Sequence, residues 1–341
     1  MSILSNYWGL AHELLISAFA LLIYPIALAN LVLHGIDRPA IWHGNTLTRA
    51  PIYDGLFEGA PTQFDVILTN PPFGGKEGEE AQLDFAYKTS ATQVLFLQHI
   101  LDSLAEGGRA AVVLDEGVSF RLEPAFVQTK RKLLLECNLW AVLSLPSGTF
   151  INAGAGVKTN IYFFTKLSAT QTPPEKIWYF DLSDVKVGKR TPLTIDRFDE
   201  FFTLKETQAE SERSWVVDIA DRRAAAKLQS DPLRQKAENL EDQNKGLNQQ
   251  LKTARATLPA NQKEISKLEQ SIKANQTEAR DLRSKAQKID DAVYDLKAIN
   301  PNAKTDTDER TPEELLEFIA LKGKEVQSAL EMLRGIESIS A

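Results

Sequence analysis

The chain has 341 residues, 43% of them hydrophobic and 25% charged, enough apolar material for two or three globular domains with cores of their own. A formal charge of −7 excludes a stand-alone nucleic-acid binder held by a basic surface, so any grip on phosphates must come from local patches or a partner. Its one cysteine, Cys137, excludes an intramolecular disulfide and fits a reducing, cytoplasmic setting, and the four scattered histidines have no metal-ligand spacing.

Leu14 to Leu33 comes first along the chain, 20 nearly uncharged residues and long enough to cross a bilayer. Pro25 and Asn30 interrupt it, no basic cluster flanks its start, and no signal-peptide n-region precedes it. The stretch is therefore expected to be a buried helix, with residues 1–23 an apolar N-terminal helix and no membrane partner. From Ala40 onward the pattern is α/β. Apolar runs at Ala40–Trp42, Phe64–Leu68, Ala110–Leu114, Trp140–Leu145 and Asn160–Thr165 predict strands, and Gln93–Leu104 and Ala125–Glu136 predict helices. Gly107-Gly108 is expected to end the first helix and turn the chain into the next strand. Such alternation predicts a mostly parallel sheet covered on both faces. Its last two strands, joined by the Gly-rich segment Gly148–Gly156, are free to pair antiparallel.

The second strand runs into Asn70-Pro71-Pro72-Phe73, and the two prolines forbid helix or further strand beyond Asn70. The loop therefore starts at the carboxyl end of a strand, where open α/β sheets bind ligands. Asn70 offers an amide oxygen and Pro71 a backbone carbonyl, two acceptors that suit an exocyclic amine with two N–H donors. Phe73 is placed to stack on the base that carries it. A turn closing a buried strand is the bland alternative, and the preceding strand favours the functional one.

Beyond about Trp215 aromatics nearly vanish. Leu233, Ala237, Leu240, Asn244, Leu247, Leu251, Ala254 and Leu258 step by 4 and 3, a heptad seam. Asp231-Pro232 is expected to open this helix as N-cap and N1 proline, giving an arm of roughly 40 Å. The seam restarts at Ile265, Leu268, Ile272, Asn275, Ala279, Leu282, Ala286, Ile289, Val293 and Leu296, with Asn261 and Glu264 as a capping-box variant. Two such helices joined by a few residues predict an antiparallel hairpin. Thr311-Pro312-Glu313-Glu314 starts a third helix, whose stripe Leu315, Ile319, Val326, Leu330 and Leu333 needs a surface to bury against, belonging to another subunit.

From about Tyr24 onward these segments resemble the modification (methyltransferase) subunit of type I restriction-modification systems, a branch of the N6-adenine DNA methyltransferases. The resemblance rests on Ala29-Asn30-Leu31-Val32-Leu33-His34-Gly35-Ile36, His43-Gly44-Asn45-Thr46-Leu47, Asn70-Pro71-Pro72-Phe73-Gly74, Glu106-Gly107-Gly108-Arg109, Leu145-Pro146-Ser147-Gly148-Thr149-Phe150 and Gly156-Val157-Lys158-Thr159-Asn160. Tyr294-Asp295-Leu296, Asn300-Pro301-Asn302 and the Thr311–Leu316 helix start continue it. It implies that Asn70, Pro71, Pro72 and Phe73 form the catalytic loop, with Asn70 and Pro71 holding adenine N6 and Phe73 stacking. It also implies that Asn45 contacts the adenine of S-adenosylmethionine and that no metal takes part. The implied partners are DNA, the specificity and restriction subunits of a type I system, and a separate N-terminal methyltransferase fragment.

The last of these follows from a departure. Upstream of the strand at Ala40 there is no Gly-x-Gly cofactor loop and no acid placed to hold ribose hydroxyls, as a class I methyltransferase sheet of order 3-2-1-4-5-7-6 requires. The expectation is a partial class I (Rossmann-like) α/β sheet lacking its first two strands, N-terminally truncated and inactive alone, with the 64–68 strand left at an unpaired edge. Residues 24–215 form this partial catalytic domain, 216–300 the hairpin and 301–341 an amphipathic subunit-contact segment. Two other readings fit the same residues: a catalytically dead assembly protein that holds a specificity subunit, and a methyltransferase of protein glutamine or rRNA.

Overall fold

A computed structural model of the chain describes residues 16–18, 23–36, 41–48, 50–51, 62–151, 156–257, 261–297, 299–302 and 311–337. A small sheet comes first. β1 (Ile16–Ala18) runs parallel to β2 (Ile41–Asn45), which pairs antiparallel with β3 (Ala50–Pro51). Between β1 and β2 lies α1 (Ile23–Leu33), ended by His34, whose ring Nδ1–H donates to the Asn30 carbonyl at 2.7 Å. The expected buried helix over Leu14–Leu33 is corrected here. Ile16–Ala18 is a strand, and α1 buries Leu31 but leaves Ile26, Val32 and Leu33 more than half exposed. Its apolar residues run all round the helix, so one contact surface cannot cover them. Among the described residues no helix is long and apolar enough to cross a membrane.

The main sheet holds β4 (Phe64–Thr69), β5 (Leu104–Asp115), β6 (Cys137–Ser144), β7 (Thr159–Lys166), β8 (Lys176–Asp181) and β9 (Ser214–Asp218), in the order β4-β5-β7-β6-β8-β9. β4–β5 and β6–β8 are parallel, whereas β7 pairs antiparallel with both β5 and β6, and β9 antiparallel with β8. The mostly parallel sheet expected from sequence is corrected here to a mixed one, with three of its five pairings antiparallel, including that of the last two predicted strands. β7 returns through a Gly-rich connection in which no α-helix is found among the described residues, and it pairs antiparallel with β6. β4 lies at the edge, as expected, with Val66 51% and Leu68 67% exposed.

α2 (Thr92–Ser103), α3 (Glu116–Phe120) and α4 (Pro124–Glu136) connect these strands. The turn expected at Gly107-Gly108 lies within β5, since α2 ends at Ser103 and Leu104 already pairs with Phe64. Two residues of β4 then span Leu104 to Arg109 on β5. The glycines take up that slack: Gly107 has φ +77°, and a Cβ on Gly108 would sit 2.9 Å from the Phe64 carbonyl oxygen. One face of the sheet buries Val94, Leu97, Leu101, Val112, Leu133 and Tyr162 under α2 and α4. The other buries Leu143, Trp178 and Phe180 against Phe201 of α5 (Asp199–Leu204).

α6 (Ile219–Ala256) and α7 (Gln262–Ala292) make the expected antiparallel hairpin. Ala237 packs with Ala279 and Leu282, and Leu251 with Ile265 and Ile272. Asn244 and Asn275 meet inside the seam, where the Asn275 amide donates to Asn244 Oδ1 at 3.1 Å. Asn261 caps α7 as read, its Oδ1 accepting the Glu264 N–H. The start of α6 differs from expectation. Asp218 is the N-cap, accepting from Ala220 and Asp221, and Pro232 lies inside the helix. Tertiary burial explains the longer helix, since Ile219 and Ala226 belong to the core under the sheet together with Val293 and Leu296. The hairpin base and the sheet thus share one core, and residues 1–302 form one compact unit with 303–341 as a second. In that second unit α8 (Pro312–Glu337) opens with a reciprocal capping box between Thr311 and Glu314.

Candidate functional site

β4 delivers Asn70 to the carboxyl edge of the sheet. Asn70 is exposed, Pro71 buried, Pro72 exposed and Phe73 half-buried, so the first proline anchors the loop and the residues on either side project. Neither the Asn70 side chain nor the Pro71 carbonyl takes a hydrogen bond among the described residues. Asn70 is the exposed one of the two acceptors, and the Pro71 carbonyl belongs to a buried residue.

Phe73 has a partner that the sequence did not announce. Its ring meets Phe150 edge to face, with centroids 4.9 Å apart at 61°. Phe150 ends the Leu145–Phe150 loop after β6, which is pinned by Leu145 N–H to the Thr159 carbonyl at 2.9 Å and by the Thr149 hydroxyl to the Pro146 carbonyl at 2.7 Å. The available sequence signal was an aromatic closing a Pro-Ser-Gly turn at the end of a strand.

Beyond Phe73 the chain turns back through Gly74 and Gly75, at φ +71° and +96°. A Cβ on Gly75 would lie 2.9 Å from Thr92 Oγ1, at the first turn of α2, so the loop packs directly on that helix. Thr92 donates to Glu77 Oε1 at 3.0 Å, and Glu77 N–H donates to the Ser90 carbonyl at 2.8 Å. Asn70, Pro71 and Phe73 thus share one braced loop, and Phe150 of the separate loop after β6 meets it at Phe73.

Asn45 ends β2 opposite Ala50, in the small sheet rather than the main one. Two residues on, Leu47 is buried with Ala81, Phe85 and Leu95, which docks the end of β2 on the segment between Phe73 and α2. Asp115, given no role from sequence, caps α3 by accepting the Val118 N–H at 3.1 Å. Behind α3 is a buried polar cluster. The Ser119 hydroxyl is 2.5 Å from the Tyr162 hydroxyl and accepts from Asn160 at 3.0 Å, and Lys130 donates to the Ser119 and Arg121 carbonyls at 2.7 and 2.9 Å. Burial pulls the Lys130 ammonium down to about 8 and pushes the Cys137 thiol up to about 12. A hollow of about 300 Å³ between α4 and the hairpin base is lined by Arg131, Arg223, Lys227, Arg234, Asp290 and Asp291. There Glu175 pairs Arg223 and Asp290 pairs Arg234, which leaves Arg131 and Lys227 facing Asp291. Among the described residues no cluster of His, Cys, Asp and Glu is arranged to hold a metal ion.

Comparison with known proteins gives three findings. The sequence profile of the family described as N-6 DNA Methylase matches residues 19–242, more than half of the chain. The type I restriction enzyme EcoEI methylase subunit of Escherichia coli is 37% identical over 210 residues, and the StySPI methylase subunit of Salmonella potsdam is 38% identical over 191 residues. These alignments cover 56% and 52% of this chain but 40% and 34% of the relatives, so the chain spans well under half of their length. A solved structure of a type I R-M system superposes with a TM-score of 0.56 at 26% identity, covering 96% of this chain and 55% of that one.

Proposed function

Since the chain belongs to the N-6 DNA methylase family, we propose that it is the adenine-holding part of a type I DNA methyltransferase that modifies adenine N6. The observation that carries this reading is the pair of acceptors without a hydrogen bond among the described residues, Asn70 Oδ1 and the Pro71 carbonyl, on the loop whose Phe73 meets Phe150 at the carboxyl edge of β4. An adenine turned out of the duplex donates both N6 hydrogens to these acceptors while its face lies against Phe73. Two strong acceptors draw N6 out of conjugation with the ring and concentrate its lone pair. No covalent bond to the protein is needed.

The methyl donor that the family implies is S-adenosylmethionine. The residues described on β4 do not make a site for it: the strand exposes Asp65, Val66 and Leu68, one carboxylate and two apolar side chains, which do not together hold a ribose, an amino group and a carboxylate. Asn45 remains the candidate contact for the cofactor adenine. The cradle is proposed to come from methyltransferase residues outside the described ones, including a separate N-terminal fragment, whose strand would cover the β4 edge. The chain by itself is proposed to be inactive.

A second role is supported by α8, whose Leu316, Ile319, Val326 and Leu330 are exposed on a well-capped helix. We propose that α8 and the hairpin hold the specificity subunit of a type I assembly, through which the restriction subunit and the DNA target are reached. The long hairpin disfavours methylation of protein glutamine or rRNA, since neither needs a projecting helical arm.

The test is transfer of a labelled methyl group from S-adenosylmethionine to duplex DNA by this chain complemented with a relative's amino-terminal methylase segment. Asn70→Ala is expected to lower the rate by about 100-fold or more with DNA affinity little changed. Unchanged activity would remove Asn70 from the site. Calorimetry on the chain alone is expected to show no micromolar binding of S-adenosylmethionine.

A further inference from the structure

The hairpin does not merely lie against the sheet; the segment that follows α7 is hydrogen-bonded to α3 and β8. After α7 the Leu296 N–H donates at 3.0 Å to the Ser119 carbonyl, the same oxygen that accepts from Lys130 at 2.7 Å. The Leu296 carbonyl accepts from the Tyr179 hydroxyl at 3.0 Å, and the Asp295 carbonyl from Arg222 of α6 at 2.8 Å. Ser119 lies in α3, whose cap Asp115 has its own N–H bonded to Gln93 Oε1 at 3.1 Å. Gln93 follows Thr92, and Thr92 is the residue against which Gly75 of the Asn70 loop packs. From Leu296 to Thr92 the links are hydrogen bonds and peptide bonds, the last step is the close approach of Gly75 to Thr92, and Gln93, Ser119, Lys130, Tyr179 and Leu296 are all at most 3% exposed.

Buried hydrogen bonds of this kind have no water to replace them, so breaking one leaves a polar atom unpaired and shifts its neighbours. We propose that the Ser119 carbonyl is a coupling node through which strain or loading on the α6–α7 hairpin reaches the Asn70 loop. Loading the hairpin arms shifts Asp295–Leu296, the shift moves α3 through Ser119, and α3 moves the first turn of α2 through Asp115 and Gln93. Contact between distant elements is not by itself coupling; coupling is a measurable free energy between the two ends. The functional meaning rests on Asn70 holding the base; the coupling itself stands or falls independently of activity.

Amide hydrogen exchange on the full-length chain tests it. Tyr179→Phe keeps the ring and removes one bond to Leu296; Arg222→Leu removes the bond to Asp295. Each is expected to speed exchange about fivefold, one hydrogen bond's worth, at residues 294–297, at 116–121 and at 74–77. Coupling is reciprocal, so Gln93→Met, at the loop end, is expected to speed exchange at Leu296. Arg283→Leu, which breaks only the exposed pair with Glu241 on the hairpin, is the control and should leave all three segments unchanged. The proposal is overturned if the Tyr179 and Arg222 variants affect only 294–297, or if the control variant moves the three segments equally. Should Tyr179→Phe fail to fold, Arg222→Leu and Gln93→Met still decide the matter from opposite ends.

Discussion

Asn70 and Phe150 reach the same place by different routes, and only one of them is visible in the chain's local order. Two prolines after an apolar run fix where β4 must stop, so Asn70 was placed at a strand end by backbone chemistry alone. Phe150 depends on β6 lying two places from β5 in the sheet, which no local pattern states. Phe150→Ala removes an edge-to-face contact worth about 1 kcal/mol. Methyl transfer by the complemented enzyme is then expected to fall about fivefold, with Phe150→Tyr close to wild type. Lys130 gives a second test at this scale. Its folded pKa of about 8 lies below the ordinary lysine value of 10.5, so between those pH values the unfolded chain binds more protons and stability rises with pH. Below pH 8 the burial cost of the ammonium is constant. Lys130→Met should flatten the stability–pH curve between pH 8 and 10.5, measured by urea unfolding at a series of pH values.

At the scale of elements, the hairpin was the most legible part and its lower end the least. A seam stepping by 4 and 3 can belong only to helices packed along one stripe, and the two asparagines read at seam positions do meet across it. Pro232 misled because an N1 proline and an interior proline look alike in sequence. The helix continues through it because Asp218 caps the start and Ile219 and Ala226 are buried, offsetting a break that costs about 3 kcal/mol. Pro232→Ala is accordingly expected to raise the midpoint of thermal unfolding of the chain followed by circular dichroism. Replacing Asn244 and Asn275 together by Leu should raise it as well. The same double variant loses the seam's single-register device, so sizing by light scattering is expected to show mixed association states in place of one.

For the whole molecule, the edge strand is the decisive feature. A parallel strand with Val66 and Leu68 exposed invites pairing by any complementary strand, and Leu68→Lys is expected to suppress concentration-dependent self-association seen by light scattering. Local periodicity and punctuation determined the α/β class, the strand that carries Asn70, the heptad hairpin and the capped last helix, because each of these needs only neighbours along the chain. Tertiary structure alone decided that β7 inserts antiparallel between β5 and β6, that Phe150 lies on Phe73, that α6 begins at Ile219, and that Leu296 bonds to Ser119. Each of these joins residues distant in sequence, where the choice is made by burial and hydrogen-bond satisfaction over the whole core rather than by the propensities of any one segment.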